Sequence, residues 1–132
     1  MLSAMTALAL GFRYFAGVFA VGFALGTVRT LWLAPAVGAL AAVGIEVPIM
    51  VAASWWWARR LLARQDLAMA GRAVMGGSAF VWLMLAEFGL GLAFGQTPGA
   101  WLAGFATPAG LLGLAGQLGF AACPLIMKSN NR

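Results

Sequence analysis

The polar residues of this chain gather in a few places and leave long apolar stretches between them. Reading from one polar cluster to the next predicts four apolar segments, at about 13–33, 35–57, 72–94 and 99–127. Each is close to or above the ~20 residues that a helix needs to cross a hydrocarbon core. The segments are continuously apolar and do not alternate, which excludes the strands of a membrane barrel. The expected fold is all-α: an antiparallel four-transmembrane-helix bundle, with 1–132 as a single transmembrane domain. Between the second and third segments, 58–71 forms a basic loop, and "ARRLLARQDLAMAGR" reads there as a short amphipathic connector in the interface.

Composition strengthens this picture. Hydrophobic residues make up 64% of the 132 and charged residues 8%, against roughly a quarter charged in ordinary soluble sequence. A water-soluble domain of this size cannot hide so much apolar surface, so an integral membrane protein is expected. The opening "MLSAMTALALGF" has no positive charge ahead of its apolar run and no A-x-A-like cleavage site after it. It reads as an uncleaved arm at the inner interface, or as an extra turn or two on the first helix.

The net charge of +5 sets an orientation. Arg59, Arg60, Arg64 and Arg72 lie in or beside the 58–71 loop, Arg13 flanks the start of the first span, and Lys128 and Arg132 follow the fourth. Arg29 stands alone on the opposite side, while "GQTPGAW" carries no charge. An excess of Lys and Arg marks the cytoplasmic side, so both termini are expected inside a bacterial inner membrane. The same charge is accounted for by anionic lipid headgroups at the basic loop, with no nucleic acid as partner. Trp55, Trp56 and Trp57, immediately before Arg59 and Arg60, read as interfacial anchors.

Glycine is abundant and lies within the spans. Gly22 with Gly26 and Gly91 with Gly95 form G-x-x-x-G pairs, and Gly110, Gly113 and Gly116 recur every third residue. Helices in lipid associate through close approach at small residues, so these positions are expected to pack helices against one another or against further copies.

The charges inside the spans are the candidate chemistry. Counting helical rise from the expected turns puts Glu46 ~16 Å, Glu87 ~12 Å and Arg29 ~7 Å below the outer surface. A charge near the bilayer centre costs at least ~2.5–3.5 kcal/mol, so it persists only with a partner, a proton or a watery cavity. Pro48 lacks the N–H that would bond the Gly44 carbonyl, which loosens the turn beside Glu46. Two readings follow: a proton- or cation-coupled site, or an interhelical clasp in which Arg29 and Gln117 hold the acids. No histidine is present, and Cys123 is alone. No cofactor, metal site or catalytic residue is therefore expected. On sequence, a non-enzymatic accessory or structural subunit comes first, packing against copies of itself or in a larger membrane complex. A small proton- or cation-coupled transporter or channel is the alternative.

Overall fold

The computed structural model of the protein describes residues 2–63 and 67–127. Arg64, Asp66, Lys128 and Arg132 lie outside the described residues. Every regular element among those described is helical. Four stretches are long and apolar enough to cross a membrane: Ala4–Val37, Ala39–Leu62, Met69–Ala93 and Pro108–Ile126.

The first stretch joins three pieces, α1 (Leu2–Val28), a π-helical turn (Arg29–Leu33) and α2 (Ala34–Val37). The first span was expected to end near Leu33 and the second to start at Pro35, but Pro35 lies inside the first continuous helix. The wider π turn explains this. The Ala34 N–H bonds to the Arg29 carbonyl five residues back, so the ladder has already shifted where Pro35 offers no donor. The real break is Gly38, at φ 92° and ψ 160°, a backbone region that is essentially glycine-only. The opening residues belong to α1 from Leu2 onward, so of the two readings, an arm or extra turns on the first helix, the structure has the extra helical turns.

α3 (Ala39–Leu62) continues through Arg59 and Arg60, and α4 begins at Met69. Among the described residues of the expected 58–71 loop, 58–62 and 69–71 are helix, since no glycine or proline interrupts 58–62 and cations favour a helix C-terminus. α4 (Met69–Ala93) stops in a Schellman motif. The Gln96 N–H reaches the Gly91 carbonyl at 2.8 Å, with Gly95 at φ 91°.

The expected fourth span, 99–127, is broken in two. α5 (Pro98–Gly104) and α6 (Pro108–Ile126) each start on a Thr-Pro pair. Thr97 Oγ1 accepts the Ala100 N–H and Thr107 Oγ1 accepts the Gly110 N–H, both at 3.0 Å. This is N-capping followed by proline at the first helical position.

The spanning helices meet through small residues, and these contacts set their registers. A Cβ on Gly17 would meet the Trp57 ring and one on Gly22 would meet Met50, so α3 lies along α1. Gly116 and Gly119 of α6 approach Val47 and Val51 of α3. Gly76 of α4 sits against the Ala121 carbonyl of α6, and Gly11 of α1 against the Met75 carbonyl of α4. Of the glycines expected to pack helices, Gly22 and Gly116 face another spanning helix. Gly26 lies beside the Arg29 side chain, while Gly91 lies against Gln96 and Trp101 and Gly110 against the Gly104 carbonyl, both beside the α5 turn. Gly113 and Gly95 have open space where a Cβ would be.

The core is concentrated at the end of the molecule carrying the arginines. Tyr14, Val18, Ala58, Leu62, Met75, Ala79, Leu83, Phe120 and Cys123 are all buried there. Pro124 leaves the Phe120 carbonyl without its intrahelical donor. The Tyr14 hydroxyl donates to it, and the two rings stack with centroids 4.4 Å apart. Arg72, also buried, donates to the carbonyls of Pro124, Met127 and Leu67. A cation thus closes the C-terminal end of α6, where unpaired carbonyls and the helix dipole favour one.

Candidate functional site

The other end, marked by Gly38, Gly95 and Thr107, is open. Beyond Val18, Leu83 and Phe120, the only buried residue of the spanning helices toward this end is Ala42. The space between them is a cavity of about 860 Å³.

Its wall carries a layer of four polar side chains, one from each spanning stretch. Arg29 lies nine residues before Gly38 and Glu46 eight after it. Glu87 lies eight before Gly95, and Gln117 ten after Thr107. All four therefore sit ~12–15 Å along their helices from the hinge end. The expected depths of Glu46 and Arg29 differed because the first turn was placed at 34. With the hinge at Gly38 the two face each other at one level.

They pair across helices. The Arg29 Nε donates to Glu46 Oε1, with side-chain exposures of 35% and 16%. The Gln117 Nε2 donates to Glu87 Oε1 at 2.6 Å, while Gln117 Oε1 is buried without a partner. The layer holds two carboxylates and one guanidinium, and that guanidinium is engaged by Glu46. Glu87 has an amide for company and no ion pair among the described residues.

The rest of the wall is mostly apolar, with Thr27, Thr30, Ser54 and Gln96 as its other polar side chains. Phe94, Trp101 and Phe105 line the mouth side, and Trp101 packs edge-on to both Phe88 and Phe105 at 5.1 and 5.0 Å. Toward the basic end the cavity stops at Ser54 and Phe120, both buried. The hydroxyls supply no onward path, because Thr27, Ser54 and Ser78 each donate to a carbonyl of their own helix. Pro48 is exposed on the outer face of α3, as is Gly44, whose carbonyl it frees. No group of three or more potential metal ligands occurs among the described residues.

Trp56 is exposed, whereas Trp57 is partly buried and its indole donates to the Arg13 carbonyl at 2.9 Å. Gly17, without a Cβ, gives the ring access to that carbonyl.

Sequence reasoning passed over Tyr14, Gly11, Gly17 and Gly76, and it took Arg72 only as a charge beside the basic loop. Tyr14 had a signal, and so did the starts of α5 and α6. Pro124 orphans a carbonyl four residues back and calls for a donor, and two Thr-Pro pairs ten residues apart mark the α5 and α6 starts. No family model matches the chain, and no curated protein or solved structure matches it, so what is shown is a helical chain with four helices apolar enough to cross a membrane.

Proposed function

We propose that this chain is a small non-enzymatic protein of the bacterial inner membrane that takes up a proton or small cation from the outer side. In this reading it is a single up-down-up-down four-helix bundle. Both termini and the arginine-rich end face the cytoplasm, and the cavity opens outward. The contact registers support the arrangement: residue numbers fall along α3 as they rise along α1, while α3 and α6 run together.

The observation that carries the function is the charge imbalance in the polar layer. Glu46 has Arg29, but Glu87 has only Gln117 beside a solvent-sized cavity. A carboxylate at that depth is costly as a bare anion, so a proton or cation arriving through the mouth finds its charge compensated there. Glu87 is then the exchanging group. Glu46 and Arg29 form the fixed pair that sets the field, and Gln117 positions the Glu87 carboxyl. The closed basic end makes this an outward-open state, and passage requires the Tyr14–Phe120 layer to part.

The test is ion entry into vesicles containing the purified protein and a trapped pH-sensitive dye, driven by an imposed proton or sodium gradient. Glu87→Gln keeps size and polarity, and it is expected to abolish entry while leaving the folded fraction unchanged. Entry at the wild-type rate would refute the assignment.

A second reading, the accessory subunit, is favoured by a different observation. Gly77 and Gly89 of α4 have open space where a Cβ would be, which leaves that helix open to close approach. Extraction from the native membrane in mild detergent separates the two. A particle containing other proteins favours the subunit, and a small assembly of this chain alone favours the carrier.

A further inference from the structure

At the basic end, α1 and α3 enclose a second hollow, a groove of about 950 Å³. Arg13 lines it from α1, and Arg59, Arg60, Trp55, Trp56 and Trp57 line it from α3. The three arginines are exposed. The acids among the described residues, Glu46 and Glu87, belong to the other cavity. Three guanidiniums from two helices therefore share one hollow, and no carboxylate lines it among the described residues.

The groove is braced by its own contacts. The Trp57 indole ties α3 to the Arg13 carbonyl, and Gly17 gives the ring room. The Arg60 guanidinium lies 5.2 Å over the Trp56 ring, a cation–π contact that limits where the charge can go. The site is thus partly organised before any ligand arrives.

Guanidinium groups present paired donors that match phosphate oxygens. A free anion would gain nothing from exposed indoles. A phosphate carrying acyl chains would, because tryptophan favours the level where headgroup meets hydrocarbon. Trp56 is 59% exposed on the face just below the arginines. We infer that this groove is a specific site for the phosphate of an anionic phospholipid. Arg13 and Arg59 hold the phosphate from either side, Arg60 is held over Trp56 as the third donor, and the acyl chains lie against the outer face of α3.

The inference is tested on the intact chain in detergent by native mass spectrometry, titrating phosphatidylglycerol against phosphatidylcholine. The wild-type protein is expected to retain one phosphatidylglycerol at concentrations where phosphatidylcholine is lost. Arg13→Gln and Arg59→Gln are each expected to weaken retention about tenfold, the effect of losing one charge-assisted bond. The double variant Arg59→Gln/Ala73→Arg returns the net charge to an exposed position on α4 outside the groove, and retention is expected to stay weak. Full recovery in that variant would reduce the effect to diffuse attraction and overturn the site. Equal retention of the two lipids would overturn it as well. Displacement of phosphatidylglycerol by millimolar inorganic phosphate would overturn the lipid as occupant.

Discussion

The two ends of the molecule solve the same problem, polar groups in an apolar setting, in opposite ways. At the basic end two buried donors, Tyr14 and Arg72, reach backbone carbonyls that the helices leave open. Tyr14 takes the carbonyl freed by Pro124, and Arg72 takes the last carbonyls of α6. The helices there touch backbone to backbone, as at Gly76 and Ala121. At the hinge end the polar groups meet each other across a cavity, and one of them, Gln117 Oε1, has no partner. Satisfied polar groups with tight packing make a rigid clamp, whereas a half-satisfied layer beside empty volume is where a ligand gains the most. Between the helices, the basic end is packed and its polar groups are met, while the hinge end keeps empty volume and an unmet acceptor.

The sharpest way to break that contrast is to add the same methyl group at each end. A Cβ on Gly76 would fall 2.1 Å from the Ala121 carbonyl oxygen, an atom of another helix backbone that cannot swing aside. Gly76→Ala is expected to cost about 3 kcal/mol, the upper part of the usual overpacking range. On Gly113 the same methyl meets nothing within 4 Å. Gly113→Ala is expected to be neutral or to stabilise by up to about 0.5 kcal/mol through helix propensity. Unfolding by SDS titration from mixed micelles, followed by circular dichroism, measures both. Equal losses would mean that the hinge end is packed as tightly as the basic end.

The next largest effect is expected at the hinge. Gly38→Ala forces a side chain into a backbone region that costs about 2 kcal/mol for a non-glycine residue. Relief comes from moving the break, and a moved break takes Arg29 and Glu46 off a common level. A double-mutant cycle on Arg29→Gln and Glu46→Gln should then give a smaller coupling energy in the Gly38→Ala background than in wild type. An unchanged coupling would show that the pair is held by something other than the hinge.

That hinge also marks what was legible in the sequence. Four helices of membrane-crossing length followed from apolar run length alone, because the hydrocarbon core imposes a minimum that few alternative patterns meet. The charged residues of the polar layer were legible too, since charges in apolar runs are conspicuous. Their mutual geometry was not. Pro35 looked like the start of a helix, and only a π turn, which leaves no composition signal, lets the chain continue to Gly38. Placing the turn four residues early put Arg29 and Glu46 at different depths. The cavity was equally invisible, because no single residue encodes empty space between four helices. Arg72 illustrates the opposite failure. Charge counting treated it as one more cytoplasmic arginine, yet it is 5% exposed and caps a helix.

The smallest effects test the contrast at its finest grain, through two prolines inside long helices, Pro124 in α6 and Pro48 in α3. Pro124 frees the Phe120 carbonyl, and Tyr14 answers it. Pro48 frees the Gly44 carbonyl, and no side chain among the described residues donates to it. Tyr14→Phe keeps the stacked ring and removes the donor, leaving a buried acceptor unmet at a cost of about 1–2 kcal/mol. Pro124→Ala restores a backbone N–H for the same carbonyl, so Tyr14→Phe should cost about 1 kcal/mol less in that background. Pro124→Ala by itself should gain little, because Tyr14 already fills the gap. Pro48→Ala, with no substitute donor to displace, should gain about 1 kcal/mol by remaking a helical bond. If Tyr14→Phe costs the same with and without Pro124, the hydroxyl does not stand in for the missing N–H. The basic end then owes its order to ring packing and the small-residue contacts rather than to matched backbone groups.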